Sequence, residues 1–346
     1  MEFDTWRQEN QPSALKDTPS HWIAEHSEPN PFNDVLPKSA FAEKKIWAMG
    51  GGKGGVGKSM IMSNLAISLA QRGERVIAID LDLGGANLHT TFGIEMPRQT
   101  MSDFFERRSQ TLEGCISNTP IQNLEMISGA QDHLGIANLD YDKKVLLLNE
   151  IQKLEADYIL IDLGAGTNNN TIDFFNFADL GILTMLPEPT SIENAYRFIK
   201  SVFYRKLMTA QHLSPIRNWI QIAMDSKNQE GLRTPGDLYR KVNQEHPDLA
   251  LKLKDEIQRI RVHLIVNQAR TQSDVDLGFS IKSVCKKYFG IQVDYVGYLD
   301  YDSAVWQAIR RKRPVLLEFP NSQLASNLER MSHYLSSQKG QSGETE

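Results

Sequence analysis

The sequence has few cysteines and no long apolar run, and we expect no signal peptide. Of its 346 residues only two are cysteine, Cys115 and Cys285, which lie far apart and form no C-x-x-C pair. This usage favours free thiols in a reducing compartment over a disulfide framework. No apolar stretch approaches the roughly 18 residues of a membrane span, and the N-terminus is polar. We therefore expect a cytoplasmic protein.

The sequence also lacks a strong excess of either charge. It carries 38 basic and 43 acidic residues, a net charge of −5 and a pI of about 6.0. Such a balance does not indicate a nucleic-acid-binding protein as a whole. Hydrophobic residues make up 40% of the chain, enough to bury a sizeable core in one large α/β domain or two modest ones.

What the sequence does have is a glycine-rich stretch at residues 50–59, GGGKGGVGKS. Gly52, Gly57, Lys58 and Ser59 fill the fixed positions of the pattern G-x-x-x-x-G-K-[ST]. An apolar run at 46–49 precedes it and an apolar-periodic segment follows it. A strand, a glycine-rich turn and a helix are the context that a phosphate-binding P-loop requires.

The P-loop pattern predicts a nucleoside triphosphate site. Glycines allow backbone N–H groups to converge on phosphate oxygens, and the following helix adds its positive dipole end. Lys58 would reach the β- and γ-phosphates, and the Ser59 hydroxyl would bind Mg²⁺. The residues predicted to contact the nucleotide here are Gly52, Lys53, Gly54, Gly55, Val56, Gly57, Lys58, Ser59 and Met60.

Acidic residues end two further strands predicted from apolar runs. Asp80 and Asp82 follow the run 75–79, and Asp162 ends the run 158–161 before Gly164. The carboxyl ends of parallel strands form the ligand-binding edge of an open α/β sheet. Asp82 is a candidate for positioning the attacking water or a Mg²⁺-bound water, and Asp162 for holding Mg²⁺ through water. Asp80 is predicted to border the nucleotide.

Strand and helix patterns continue in the second half. Thr190 and Glu193 have the spacing of a capping box, which predicts a helix over 191–207. Residues 209–259 leave the strand–helix alternation and suggest a helical insertion, either a partner surface or a packed hairpin. Asn267 ends the next strand, where its amide would read an adenine edge or simply form a turn. Residues 310–313, RRKR, form a solvated face or a phosphate-binding patch.

The chain ends are polar. Residues 1–43 contain five prolines and are predicted to be a disordered tail, and residues 338–346 form a second polar tail. The remaining residues 44–337 would form the folded domain. Three isolated aromatic residues in the first tail, Trp6, Trp22 and Phe32, would either pack on the same domain or serve as a docking motif.

Several ordered motifs together resemble one family, the MinD/ParA ATPases, and most closely its FlhG-like branch. The segments that carry the resemblance are GGGKGGVGKS, DLDLGGANL, IDLGAG, PEPTSIENAY, VNQAR and DYDSAVWQAIRRKRPV. Lys53 matches the signature lysine of that family's deviant P-loop. Asp82 and Asn87 match the switch I aspartate and asparagine, while Asp162 and Gly164 match switch II.

The resemblance implies a P-loop NTPase fold with a doubly wound, mostly parallel sheet flanked by helices. It also implies an ATP- and Mg²⁺-dependent homodimer in which Lys53 reaches the partner's nucleotide. Hydrolysis would be slow and stimulated by a protein partner, for which the branch suggests an FlhF-like protein. The function implied is control of the number or placement of a structure such as a flagellum, at a cell pole.

Three features depart from the family pattern. The last helix lacks basic residues beside a clear apolar face, which argues against membrane cycling. The N-terminal residues 1–15 contain no recognisable motif for activating FlhF. Gln268 follows Asn267 where the family usually has arginine.

Three other functions were compared with this one. A ParA-like ATPase on nucleoid DNA is the alternative, with residues 310–313 as its phosphate-binding patch. An iron–sulfur carrier is disfavoured because Cys115 and Cys285 have neither of the required spacings. An adaptor that does not hydrolyse ATP conflicts with Lys58, Asp82 and Asp162.

Overall fold

A computed structural model of the chain describes residues 30–35, 44–82, 85, 87–95, 97–129, 139–225, 228–232 and 234–338. Its centre is one eight-stranded sheet with the order β3-β4-β2-β5-β1-β6-β7-β8. The strands are β1 (Lys45–Gly50), β2 (Val76–Leu81), β3 (Ile116–Asn118), β4 (Leu124–Ile127), β5 (Tyr158–Leu163), β6 (Leu180–Met185), β7 (Arg261–Ala269) and β8 (Gln292–Asp300). All neighbours pair in parallel except β3, which pairs antiparallel with β4 at the sheet edge.

Helices cover both faces of the sheet. The helices are α1 (Lys58–Gln71), α2 (Leu88–Thr91), α3 (Met101–Phe105), α4 (Tyr141–Lys153), α5 (Asn169–Phe177), α6 (Pro189–Thr209), α7 (Arg217–Met224), α8 (Pro235–Glu245), α9 (Pro247–Arg259), α10 (Gln272–Phe289), α11 (Ser303–Arg310), α12 (Val315–Glu318) and α13 (Gln323–Ser337). The strands β1, β2 and β5 are almost entirely buried. Their near-continuous apolar sequences suit parallel strands that are covered on both sides. The predicted fold class is therefore confirmed.

The sheet register brings the predicted site residues to one edge. Parallel pairing sets Asp80 of β2 beside Asp162 of β5, and Asp162 beside Met49 of β1. Since β1 leads directly into the P-loop, both carboxylates lie next to that loop. The ligand edge expected from the sequence is the edge that the register builds.

The helix α6 begins earlier than the capping-box prediction. It starts at Pro189 with Glu188 as its N-cap residue, so Thr190 lies inside the first turn. Proline fits the first helical position because its φ is already helical and its missing N–H is not needed there. The hydroxyl of Ser191 instead accepts a hydrogen bond from the Leu186 N–H at 3.0 Å. The predicted capping role of Thr190 and Glu193 was wrong.

The insertion at 209–259 forms a 3₁₀ helix, Gln211–Ile216, and then α7, α8 and α9. Pro235 and Pro247 lie at the starts of α8 and α9, consistent with the predicted breaks. Leu238, Val242 and Leu253 are fully buried. The insertion is therefore packed onto the domain by its apolar face, although Leu251 points outward.

Residues 30–35 of the predicted tail contact the body of the domain. Pro31–Asn33 form a 3₁₀ turn, and Phe32 packs against the core. The Asn30 side chain donates a hydrogen bond to the Thr209 carbonyl at 2.7 Å. Phe32 thus packs on its own domain, while Trp6 and Trp22 lie outside the described residues.

The last helix also belongs to the core. Leu324, Leu328, Met331 and Leu335 of α13 are buried in the apolar cluster that contains the inner face of α1. This confirms the predicted packing against the body. Among the described residues, no helix combines the length and apolar character needed to cross a bilayer.

Candidate nucleotide-binding site

The P-loop needs glycine for two distinct steric reasons. A Cβ atom on Gly52 would lie 2.3 Å from the carbonyl oxygen of Asn194, so the loop backbone is pressed against α6. Gly57 has a φ of 94°, a left-handed conformation that favours glycine, and a Cβ there would lie 2.3 Å from the Asn267 amide nitrogen. Gly54 and Gly55 face open space instead. The result is a tightly held loop with an open concave side.

Asp162 lies at the base of this loop. It is 1% exposed, and its Oδ1 atom is buried without a hydrogen-bond partner among the described residues. Burial raises its pKa to about 7, and the neighbouring Asp80 adds to the shift. The Ser59 hydroxyl and the Lys58 ammonium act in the opposite direction. Asp162, Ser59 and Lys58 are therefore brought together as the sequence predicted.

Asp80 organises the backbone beside Asp162. Its Oδ1 accepts a hydrogen bond from the Asp82 N–H at 3.0 Å, and its Oδ2 accepts one from the Leu88 N–H at 2.9 Å. Burial raises the pKa of Asp80 to about 6, and these N–H bonds oppose the shift. The carboxylate thus holds both ends of the segment between β2 and α2, rather than projecting into the loop.

Asp82, in the predicted switch I segment, lies next to the predicted switch II segment. A Cβ atom on Gly164 would be 3.3 Å from Asp82 Oδ1, so no side chain separates Asp82 from the β5–α5 loop. In the same loop, the Gly166 N–H donates a 3.0 Å hydrogen bond to the Gly51 carbonyl of the P-loop. The Asn87 side chain donates to the Gly85 carbonyl at 2.7 Å. Both predicted switch segments therefore meet beside the P-loop.

Lys53 is on the outer side of the loop, away from Asp162. Its Nζ lies 3.5 Å from Glu188 Oε2 and 3.4 Å from Thr190 Oγ1, both at the start of α6. Its side chain is 42% exposed. Lys53 is thus held by an exposed ion pair within its own chain and remains accessible from outside.

Asn267 holds the P-loop through a hydrogen bond to its backbone. It is 3% exposed, its amide donates to the Val56 carbonyl at 2.8 Å, and its Oδ1 accepts from the Gln268 N–H at 2.9 Å. Gln268 itself has a φ of 58°, a conformation that few non-glycine residues adopt. The side chain therefore braces the loop, a contact between residues 211 positions apart that the sequence did not reveal.

Two further residues shape the site from the start of α6. Glu188 pairs with Lys53, and the backbone of Asn194 closes against Gly52. Both lie in the segment PEPTSIENAY, from which the sequence predicted the start of a helix but not these contacts. The opposite charges of Glu188 and Lys53 were visible in the sequence. Their proximity was not, because it depends on the pairing of β1 with β6.

The residues present fit a magnesium ion and a nucleoside triphosphate. Asp162 Oδ1 is a buried oxygen without a partner among the described residues, and the Ser59 hydroxyl lies beside the same carboxylate. Mg²⁺ prefers oxygen ligands and is usually held by one or two protein groups, substrate phosphates and waters. The described residues contain no cluster of three metal-binding side chains, which is consistent with an ion held mainly by phosphates and water.

Comparisons with known proteins agree with this geometry. The sequence profile of a family described as an AAA domain matches residues 44–214. The antiactivator FleN of Pseudomonas aeruginosa is 25% identical over 280 residues, which cover 80% of this chain and 81% of FleN. The flagellum site-determining protein YlxH of Helicobacter pylori is 34% identical over 179 residues, which cover 49% of this chain and 59% of YlxH.

The fold has solved counterparts as well. The septum site-determining protein MinD of Pyrococcus horikoshii, in complex with Mg-ADP, superimposes with a TM-score of 0.56. The alignment covers 85% of this chain and 96% of the MinD chain at 19% identity. At that identity the likeness establishes the fold.

Proposed function

We propose that this chain is an ATPase of the MinD/ParA type, near the FlhG branch, and that it acts as an ATP-switched regulator of the number or placement of a cellular structure. The observation that carries the proposal is the position of Asp162, buried beneath the P-loop beside Lys58 and Ser59. The name of YlxH, a flagellum site-determining protein, supports a flagellar role.

In this proposal the P-loop holds the triphosphate of ATP. Loop N–H groups and Lys58 bind the phosphate oxygens, and Ser59 and Asp162 hold the metal, Asp162 through water. When bound, Mg²⁺ neutralises charge on the β- and γ-phosphates. A cation here would also offset the repulsion from Asp80, which adds to the raised pKa of Asp162.

Asp82 positions the attacking water in this scheme. Its backbone N–H donates a hydrogen bond to Asp80 Oδ1, and its carboxylate stands next to Gly164, where a γ-phosphate would contact both switch segments. The Gly166 N–H links switch II to the Gly51 carbonyl, so a movement of switch II on loss of the γ-phosphate would also move the P-loop. Asn87 and Gly164 complete the nucleotide border.

Lys53 connects the nucleotide state to dimerisation. Its exposed position outside the loop leaves it able to reach a nucleotide held by a second copy of the chain. Two copies facing each other would each supply a lysine to the other's phosphates, a closed twofold arrangement. We therefore propose a homodimer that forms on ATP binding and separates after hydrolysis.

The deciding experiment compares Lys58→Ala, Lys53→Ala and Asp82→Ala with the unmodified chain. Analytical ultracentrifugation and phosphate release are measured with Mg-ATP and Mg-ADP. We expect Lys58→Ala to lose nucleotide binding, and Lys53→Ala to bind ATP but remain monomeric. Asp82→Ala should form a persistent dimer, with hydrolysis slowed by about 10²-fold or more. Equal affinity for ATP and ADP, with monomers in both states, would overturn the proposal.

We also propose that a protein partner stimulates hydrolysis. The alternative is that the chain binds nucleoid DNA. Of the basic run, Arg311 and Arg313 share Glu318, and Arg310 stacks on the ring of Trp306. A DNA patch would instead leave Arg311 and Arg313 free for phosphates. ATP-dependent DNA binding that weakens steeply with salt would favour the ParA-like alternative. Stimulation of phosphate release by an FlhF-like protein would support the partner that the family branch suggests.

A further inference from the structure

The helix α11 buries its small residues and exposes its large ones. Ala304 and Ala308 face the domain, whereas Trp306 is 60% exposed and Ile309 is 57% exposed. Packing alone produces the opposite arrangement, because burying a large apolar side chain stabilises a fold more than burying alanine. The outer face of α11 therefore has no explanation within the fold of this chain.

Neighbouring residues extend this surface. Tyr301, just before α11, is 57% exposed, and Leu317 on α12 is 45% exposed. Within the described residues, half of the eight exposed large hydrophobic side chains thus come from the segment 301–317. We call Tyr301, Trp306, Ile309, Arg310 and Leu317 the α11 patch. Such a concentration is typical of an interaction site rather than of scattered surface residues.

Two of its aromatic rings are already paired with arginines. The Arg310 guanidinium lies 4.6 Å from the centre of the Trp306 ring, and Arg270 lies 4.2 Å from the centre of the Tyr301 ring. These contacts hold the arginines in place before any partner binds, which reduces the entropy lost on binding. Tryptophan, tyrosine and arginine are also the residues enriched among binding hot spots.

The charge of the patch is positive. Helix α11 carries no acidic residue, and Arg310 and Lys312 extend from its end. Nearby acids are engaged within the chain: Asp302 caps α11, and Glu318 pairs with Arg311 and Arg313. A complementary partner therefore combines apolar side chains with carboxylates.

The patch is also connected to the candidate switch. A Cβ atom on Gly93 would lie 2.8 Å from the Lys312 carbonyl, so the turn after α11 packs against the turn after α2. The start of α2 is in turn held by the bond from the Leu88 N–H to Asp80. The patch is thus joined, through the turn at Lys312, to the element that follows switch I.

We propose that the α11 patch is a docking site for an acidic amphipathic segment of a protein partner. Leucine-type side chains of that segment pack on Trp306, Ile309 and Leu317, and its carboxylates bind Arg310 and Lys312. Anionic lipid and DNA fit less well, because binding to lipid headgroups or phosphates relies on clusters of several free cations. Here two of the four consecutive cations share Glu318, which offsets one of the four positive charges.

The test uses the full chain without nucleotide, so that its result does not depend on the proposed ATPase cycle. The probe is a labelled helical peptide of about 18 residues with leucine on one face and glutamate on the other. A second peptide has lysine in place of glutamate. Fluorescence anisotropy should show that the glutamate peptide binds at least about tenfold more tightly than the lysine peptide.

Two variants then locate the binding. Trp306→Ala and Arg310→Glu should each weaken the glutamate peptide by about tenfold or more, with unchanged far-ultraviolet circular dichroism. Leu251→Ala is the matched control, because Leu251 is 64% exposed on α9, outside the patch, and its loss should change nothing. Absent binding, or binding insensitive to Trp306→Ala, would overturn the proposal. So would tighter, Trp306-dependent binding to phosphatidylglycerol vesicles or duplex DNA.

Discussion

At the scale of single residues, the site is built on two carboxylates that repel each other. Asp80 and Asp162 are paired across adjacent strands, and both are 1% exposed. Asp80 is stabilised by backbone N–H groups, whereas Asp162 keeps an oxygen without a partner among the described residues. We therefore infer that Asp80 organises the loop, whereas Asp162 is available to bind a cation.

The contact between Lys53 and Glu188 leads to a first prediction. The pair is exposed and 3.5 Å apart, so breaking it should change the energy by no more than about 1 kcal/mol. Glu188→Gln should release Lys53 and tighten ATP-dependent dimerisation by up to about fivefold, measured by ultracentrifugation. Glu193→Gln, which breaks the exposed pair with Arg197 on the same helix, is the control. Weaker dimerisation of Glu188→Gln would show that Glu188 itself contributes to the dimer.

Asn267 leads to a second prediction, which separates bracing from adenine recognition. Asn267→Ala leaves the Val56 carbonyl and the Gln268 N–H without this partner, at a cost of about 1–3 kcal/mol for a buried polar group. If the side chain acts as a brace, the affinities for ATP and GTP should fall together, by about tenfold, in calorimetric titrations. A loss confined to ATP would assign it to the adenine edge instead.

At the scale of elements, a buried ionic cluster joins three helices. Asp173 of α5 accepts hydrogen bonds from Lys144 of α4 at 2.8 Å and from Arg205 of α6 at 2.7 Å. All three side chains are at most 2% exposed. The helix α5 follows the switch II loop, and α6 begins at Pro189, directly after Glu188. This cluster therefore fixes the two helices that position Gly164 and the partner of Lys53.

The third prediction concerns this cluster. Asp173→Asn removes the carboxylate that pairs with both buried cations, so the free energy of unfolding should fall by about 3–5 kcal/mol. Urea denaturation followed by circular dichroism measures the loss. Glu193→Gln, at an exposed pair, should cost less than about 1 kcal/mol. Similar costs for the two variants would mean that Lys144 and Arg205 are compensated by other groups.

At the scale of the whole molecule, buried titratable groups make stability depend on pH in opposing directions. Burial lowers the pKa of His263 on β7, so the folded state resists its protonation. Burial raises the pKa of Asp80 and Asp162, so without nucleotide the folded state gains protons more readily than the unfolded chain. As the pH falls below about 6.5, His263 destabilises the fold while the two aspartates stabilise it.

A comparison with His263→Gln isolates the histidine contribution, because the aspartates are common to both proteins. The fourth prediction is that the native chain loses stability relative to the variant as the pH falls from about 7.5 to about 5.5. Urea titrations at both pH values measure this difference. A constant difference would show that His263 has the same pKa in the folded and unfolded chains.

The sequence by itself determined the fold class and the chemical core of the site. The alternation of buried strands and helices follows from local apolar patterns, and the P-loop residues are consecutive. Short segments of sequence are therefore enough to predict the fold class and the P-loop. Asp82 and Asp162 could be found because each directly follows or ends an apolar strand. Parallel pairing then gathers such strand ends at one edge regardless of finer detail.

Only the tertiary structure decided what depends on contacts between distant segments. The brace of Asn267, the Lys53–Glu188 pair and the Asp173 cluster each join residues that no local pattern relates. The start of α6 was also mispredicted, because Pro189 and the Ser191 hydroxyl decided it rather than the apparent capping box. The outward face of α11 also depends on how that helix packs. The hydrophobic pattern along the sequence does not show that Trp306 and Ile309 are exposed in the folded chain.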